Sequence, residues 1–533
     1  MKTPEIAICL SGGGYRAATF HLGTLSYLHH LHLDNGDNFL NIVNTMSTIS
    51  GGTITGLWCM MSLCKGIDED EAFKNLYQIL IAEDIPVTAL KEFVQNQKTV
   101  HSLIKQMAEV YDEKFFKGEC FKLFLDNIDK VHVHHFSANG TDFSNGLAFR
   151  YQATQEIKNA GKGSRHGIIG NHQNQIPEKI ATQIRLAEIL ATSSCFPGGF
   201  EPLIFPTDFK LATKKENQEY IAATTPIGLM DGGIVDNQGV GPITLAEKQM
   251  ELDNKNSSNG NSIDLIIISD VASPYMAPYE YKPANIFTKL SLKKLTHLGY
   301  GLTTLLCMAT IITAIFGSAF WTGVLFALSC ISIIHSGVIR YIIYRVNKGL
   351  DATPLSKCKN EVKHVTLNSV INLVKSRVSC MLILANSVFL KHIRRLTYST
   401  IYKDDKWKNR RIMNAIYELR DHEKWEEYAK SGTLPKNLIP SNAIQKNSRK
   451  AANMATTLWF TDKDKASGTP EAIIAAGQYN ICWNLLVYIK KLKESIENTN
   501  ETHQLILKCE QQLLDDWEKF QKNPMWLFND QMK

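Results

Sequence analysis

Ile6-Ala7-Ile8-Cys9-Leu10-Ser11-Gly12-Gly13-Gly14-Tyr15-Arg16 decides how the first half of the chain folds. Five apolar residues fit a short strand, and three glycines end it. A helical pattern follows, with Phe20, Leu22, Leu25 and Leu28 on roughly one face. A strand feeding a helix through a glycine turn predicts the start of a βαβ unit. Glycines let backbone amides approach a ligand without side-chain obstruction. At a helix N-terminus those amides bind an anion. The common phosphate loops do not fit: no Gly-Lys-Ser/Thr follows, and Ala17 stands at the third glycine of GxGxxG. In acyl transfer the anion is a tetrahedral oxyanion. Gly12, Gly13 and Gly14 are therefore candidate oxyanion donors. Arg16 is a candidate brace for the loop or a source of positive field.

The same pattern repeats within about 60 residues. Ile42-Val43-Asn44-Thr45-Met46 reads as a strand, Ser47-Thr48-Ile49-Ser50-Gly51-Gly52 as a turn, and Ile54 to Leu63 as a helix. A nucleophile elbow needs small residues two before and two after its serine. Gly52 meets the second condition for Ser50. Thr48 occupies the first position, where glycine is usual. Ser47 competes, but Ile49 lies where its elbow needs a small residue. Alone, the segment also reads as a serine N-cap. Further on, Met230-Asp231-Gly232-Gly233-Ile234-Val235-Asp236-Asn237-Gln238-Gly239 places an aspartate before Gly232 and Gly233. A carboxylate on such a loop can take a proton from a serine hydroxyl without a histidine. The spacing of Asp231, Asp236 and Asn237 does not match an EF-hand.

In this order the three segments resemble the patatin-like phospholipases: a GGGxR loop, a serine elbow, and an Asp-Gly-Gly aspartate. Asn139-Gly140-Thr141-Asp142-Phe143-Ser144-Asn145-Gly146 is similar to the family's Asn-Ala-Thr-Asp strand-turn. Ala191-Thr192-Ser193-Ser194-Cys195-Phe196-Pro197-Gly198-Gly199-Phe200-Glu201-Pro202 is similar to its segment before the aspartate. The resemblance covers residues 5 to 270. Thr48, Ala17 and the Thr192–Cys195 run depart from the pattern without removing a reacting group. The resemblance implies a three-layer α/β/α fold and a Ser–Asp dyad that cleaves acyl esters of membrane lipids. Ser50 is then the nucleophile and Asp231 the base, with Gly12, Gly13 and Gly14 as the oxyanion hole. Arg16, Gly52, Gly232 and Gly233 support them, and no metal or cofactor is implied.

From Leu295 to Ile339 there is no Lys, Arg, Asp or Glu. That run is well beyond the ~20 residues one bilayer crossing needs. The weak point Phe316-Gly317-Ser318-Ala319-Phe320-Trp321-Thr322-Gly323 splits it into two helices, about 300–316 and 321–340, a transmembrane or re-entrant hairpin. Lys289, Lys293 and Lys294 precede it; Arg340, Arg345 and Lys348 follow. Positive residues on both sides put both ends, and the catalytic domain, in the cytoplasm. A buried hairpin of a soluble core is the alternative. The expected organisation is a catalytic domain over 1–294, the hairpin over 295–345, and a helical C-terminal region over 346–533 packing on the catalytic domain. Helices are expected over Val362–Leu390, Asn409–Leu419 and Pro470–Leu492. Between the early motifs, residues 70 to 128 read as helical, Val131–Phe136 and Leu147–Tyr151 as strands, Ile180–Ala191 as a helix, and Leu265–Asp270 as a central strand.

The 533 residues are 44% hydrophobic and 21% charged, a globular composition. A net charge of +6 is too modest and too dispersed for a nucleic-acid binder. The N-terminus lacks a basic stretch followed by an apolar one, so no signal peptide is expected. The 11 cysteines show no regular spacing and read as reduced thiols. His29, His30 and His32, like His132, His134 and His135, lack carboxylate or Cys partners at ligand spacing, so no metal is expected. The expected function is phospholipase A-like hydrolysis of membrane phospholipid at the bilayer. The alternatives are a non-catalytic membrane scaffold of the same fold and a soluble esterase or thioesterase. An activating partner and homo-oligomerisation stay open.

Overall fold

The computed structural model describes residues 4–34, 36–82, 84–95, 102–155, 167–256, 262–273, 291–351, 364–420, 424–494 and 501–533. They divide into two compact units, one from 1–276 with 385–533 and one from 277–384. Lys289, expected to flank the hairpin, lies outside the described residues.

The larger unit is an α/β fold on a mixed sheet. Its strands are β1 (Ile6–Leu10), β2 (Val43–Ile49), β3 (His135–Asp142), β4 (Leu147–Thr154), β5 (Gly167–Gly170), β6 (Gln175–Ile176), β7 (Leu203–Phe205), β8 (Ile227–Asp231), β9 (Leu265–Asp270) and β10 (Arg411–Ala415). They run in the order β10-β9-β1-β2-β3-β4-β5-β6, and β8 joins β3 and β7. β10, β9, β1, β2 and β3 are mutually parallel. Every residue of β1, β2 and β9 is buried, which is why these strands read as unbroken apolar or small-residue runs. Helix α1 (Gly14–His30) follows β1, and helix α2 (Gly51–Lys65) follows β2, as the two strand–turn–helix patterns predict.

Within the strand-turn 139–146, Asn139–Asp142 ends β3 and Phe143–Gly146 makes the turn. Asp142 makes that turn by accepting the amides of Ser144 and Asn145, each at 3.1 Å. Local expectations shift elsewhere. The expected helix Ile180–Ala191 is two helices, Glu178–Ala181 and Leu186–Ser194. Arg185 sits at the break, bonded to Glu109, Asp112 and Glu188. The stretch Asn409–Leu419 is not a helix: Arg411–Ala415 is β10, with Ile412 paired to Ile267 of β9. Its alternating burial, inward at Ile412 and Asn414, is the period of a strand.

The long C-terminal helix Thr469–Glu494 packs on α1. A Cβ at Gly23 would lie 2.0 Å from the Ile474 carbonyl oxygen, and one at Gly477 would lie 2.1 Å from that of Phe20. The two backbones cross where both helices present glycine. The helix is apolar and long enough to cross a membrane, yet 94% of that stretch is buried, so it is a core helix.

In the smaller unit, helices Leu292–Phe316 and Ala319–Asp351 pack side by side, broken at Gly317-Ser318 as expected. Their seam is small and polar: Thr303 and Ser332 hydroxyls are 2.7 Å apart, and Ser336 fills the space beside Gly299. Their outer faces are apolar and exposed, with Phe316 86% and Phe320 70% accessible. Lys293–Phe316 and Ala319–Arg345 are long and apolar enough to cross a membrane.

Candidate active site

The site lies at the C-terminal ends of the parallel strands, where open α/β sheets place their crevice. Ser50 is the single residue between β2 and α2. Its backbone has φ 50° and ψ −119°, so a residue with a Cβ holds a left-handed, strained conformation. Two glycines make the turn tight. A Cβ at Gly51 would meet the Gly14 carbonyl oxygen at 2.1 Å, and one at Gly52 that of Leu10 at 2.3 Å. Thr48 fits because α2 makes room one turn later: a Cβ at Gly56 would lie 2.3 Å from its methyl group. The Thr48 hydroxyl accepts from Thr53 at 3.1 Å and donates to the Ser137 carbonyl at 3.4 Å.

Sequence reading missed Ser193. Its hydroxyl accepts the Ser50 amide at 2.9 Å, donates to the Asn139 carbonyl at 2.7 Å, and lies 2.8 Å from the Thr53 hydroxyl. The Asn139 side chain in turn donates to the Thr48 carbonyl at 3.0 Å. The elbow is thus clamped from β3 and from helix Leu186–Ser194. The only sequence signal was a run of small polar residues, Thr192 to Cys195.

Asp231 ends β8, opposite Gly140 of β3. Its amide donates to the Cys195 carbonyl at 2.9 Å, and its carbonyl accepts the Thr141 hydroxyl at 2.8 Å. The carboxyl accepts the Gly233 amide at 2.7 Å and lines the same cavity as Ser50. Burial pushes the carboxyl up to about 6, against the pull of the Gly233 amide and of the nearby Ser50 side chain. Gly232 and Gly233 are forced by space: a Cβ would lie 2.4 Å from the Asn139 carbonyl oxygen at the first, and 2.8 Å from Asn237 Oδ1 at the second. Asp236 does different work. It accepts the amides of Gln238, Gly239 and Gly241 and so shapes the loop.

The three loop glycines divide in role. The Gly12 amide donates to the Asn237 carbonyl at 3.1 Å, which ties the glycine loop to the aspartate loop. The Tyr15 amide donates to the Thr457 carbonyl at 2.7 Å. Between them, Gly13 and Gly14 have φ of 149° and 58° and stand at the N-terminus of α1, where a helix offers its amides no carbonyl. Arg16 lines the same cavity and is held by backbone carbonyls on two sides. Its guanidinium donates to the carbonyls of Met454 at 2.6 Å and Val271 at 3.1 Å, and to the Thr456 hydroxyl at 3.0 Å. His21 lies behind the loop, between the Ser269 hydroxyl and the Ser11 carbonyl, and burial holds it down at about 4.

These groups open into one cavity of about 500 Å³. Gly12, Gly13, Gly14, Ser50, Asp231 and Asn237 form its floor. Phe196 and Pro197 form one wall. Others come from Thr456–Trp459 and from Ser387, Leu390, Lys391 and Arg394. The structure thus brings together Ser50, Asp231 and the glycine loop, which lie far apart in sequence. Among the described residues no histidine lines this cavity, and no group of three or more His, Cys, Asp or Glu is arranged to hold a metal. A serine hydroxyl and a buried carboxyl that line one cavity, beside helix-end amides, can transfer a proton and bind a developing anion.

Residues 8–244 match the family model described as patatin-like phospholipase. No curated protein matches the chain. Among solved structures it is similar to human GIVD cytosolic phospholipase A2 in complex with methyl gamma-linolenyl fluorophosphonate and terbium chloride. Identity is 15% and the TM-score 0.28, over 43% of this chain and 34% of that one. A second structure, of human GIVD cytosolic phospholipase A2, matches at 15% identity and TM-score 0.26, over 36% of this chain and 28% of that one. The chain spans about a third of the length of these solved relatives.

Proposed function

We propose that this chain, whose residues 8–244 match the family model described as patatin-like phospholipase, is a phospholipase A-type lipid acyl hydrolase. Ser50 is its nucleophile and Asp231 its base. The observation that carries this reading is that the strained Ser50, the buried Asp231 and the helix-end glycines line one cavity. Ser50 Oγ attacks the ester carbonyl while Asp231 takes its proton. The Gly13 and Gly14 amides hold the oxyanion, and Gly12 fixes the loop through Asn237. As the tetrahedral intermediate collapses, the proton passes from Asp231 to the leaving alcohol. Water, deprotonated by Asp231, then releases the fatty acid and restores Ser50. The hairpin 295–345 crosses the bilayer with both ends cytoplasmic and holds the enzyme at its substrate.

The test is fatty-acid release from phospholipid vesicles, with fluorophosphonate labelling of the same preparations. Wild type releases fatty acid and takes up the probe; Ser50→Ala loses both, and Asp231→Asn loses turnover by a factor of about 10⁴ or more. Full turnover in either variant overturns the dyad. Absence of both labelling and turnover in the wild type favours the scaffold. Carbonate extraction checks the anchor: the protein stays in the membrane pellet, and its release would mean a soluble esterase.

A further inference from the structure

The helical stretch Leu367–Tyr402 is apolar enough to be taken for another membrane span. Its charges argue otherwise. Lys375 and Arg377 lie on one side, and Lys391, Arg394 and Arg395 on the other. The uncharged run between them, Val378 to Leu390, makes about 20 Å of helix, well short of the ~30 Å hydrocarbon core. The run is nevertheless exposed, with Met381 69%, Leu384 56% and Phe389 47% accessible. Leu396, next to Arg395, is 52% accessible. An exposed apolar surface flanked by basic side chains, too short to span, is the pattern of a helix lying in the plane of a bilayer interface.

The end of this stretch also belongs to the Ser50 cavity. Ser387, Leu390, Lys391 and Arg394 line it, as does Phe196, 40% accessible. Arg394 is fixed there: Nε and a terminal nitrogen donate to Asp270 at 2.9 and 2.5 Å, and Gln238 donates to the same carboxylate oxygen at 2.7 Å. Asp270 ends β9, so the helix is tied to the sheet beside the glycine loop.

We propose that Ala385–Leu396, the part of this helix that belongs to the larger unit, is an interfacial docking element that seats the mouth of the Ser50 cavity on an anionic phospholipid surface. The apolar side chains enter the headgroup boundary, and the basic ones meet the anionic headgroups. These residues lie outside the matched 8–244 segment. The proposal rests on the phospholipase reading for its purpose, but docking itself is read without turnover.

Val388 lies within this segment, is 40% accessible, and serves as the probe position through Val388→Cys. The full chain carrying Val388→Cys and Cys380→Ser is labelled there with a fluorophore in proteoliposomes, with Cys380→Ser alone as the blank. Lipids carrying quenchers at different depths then report its position. Quenching strongest from headgroup-proximal positions supports the proposal. Quenching strongest from the bilayer centre, or none from any lipid, overturns it. In parallel, turnover of vesicle phospholipid is compared with that of a water-soluble short-chain ester. In Phe389→Asp the ratio of the two falls at least tenfold, and in Arg395→Gln the gain on adding anionic lipid shrinks. Unchanged ratios overturn the proposal. If wild type turns over neither substrate, the Ser50 reading fails, while the depth measurement still decides the docking.

Discussion

Ser50 holds a φ of 50° with a Cβ in place, and among the described residues only Lys117 shares a positive φ without being glycine. Strain at that point presents the hydroxyl above the sheet and is tolerated because Ser193, Thr53 and Asn139 grip the turn. Removing the strain and removing the hydroxyl can be separated. Both Ser50→Ala and Ser50→Gly are expected to be inactive, but glycine relieves the backbone and should be the more stable by about 1 kcal/mol, read from urea midpoints. Asp231 carries a second prediction. Its folded carboxyl, at about 6, lies above the ordinary value of 3.8. The folded state therefore binds the proton more tightly, and stability falls as pH rises from about 4 to 6. The ionised group then costs roughly 3 kcal/mol at neutral pH. Asp231→Asn should stabilise the protein by roughly 1–3 kcal/mol at pH 8 and by little at pH 4, in thermal melts at the two pH values. In the wild type, kcat/KM should rise through an apparent pKa near 6. His21, held at about 4 and bonded on both sides, is not its source.

At the scale of elements, the elbow is a contact between a strand and a helix. Threonine at position 48 enlarges the strand side, and Gly56 opens the helix side to match. The two positions should therefore be coupled. Gly56→Ala drives a methyl into Thr48 and should lower both stability and activity. Thr48→Ser removes the clashing methyl and keeps the hydroxyl that Thr53 and Ser137 use. In the double variant most of the loss should return, with a coupling of about 1–2 kcal/mol in a double-mutant cycle; simple additivity would refute it. The crossing of α1 with helix Thr469–Glu494 at Gly23 and Gly477 follows the same logic. It holds the glycine loop from behind, since Gly13 and Gly14 begin the helix that Gly23 continues.

On the scale of the whole molecule, the C-terminal region completes both the sheet and the site. β10 pairs with β9, Thr457 accepts the Tyr15 amide, Arg16 grips Met454, and Thr456–Trp459 wall the cavity. A chain ending at residue 294 holds the serine, the aspartate and all three glycines, yet exposes β9 and strips α1 of its partner. It should be insoluble or inactive in both phospholipid and short-ester assays. Co-expression with residues 385–533 should restore soluble protein if the pieces pair as the intact chain does.

The sequence alone determined what local chemistry dictates. Strand–glycine–helix units, the Asp-Gly-Gly loop and the charge-free hairpin follow from periodicity, from glycine's conformational freedom and from the absence of charge, all of which act over a few residues. Tertiary structure decided which of these groups meet. It gave Gly12's amide to Asn237, made Ser193 the clamp of the elbow, and turned Arg16 toward the C-terminal segment. It also made Arg411–Ala415 a strand, because β9 offered an edge that no nearby residue could reveal, and it fitted Thr48 through Gly56. Each of these is a close approach between segments distant in the chain, set by space and hydrogen bonds that exist only once the chain has folded.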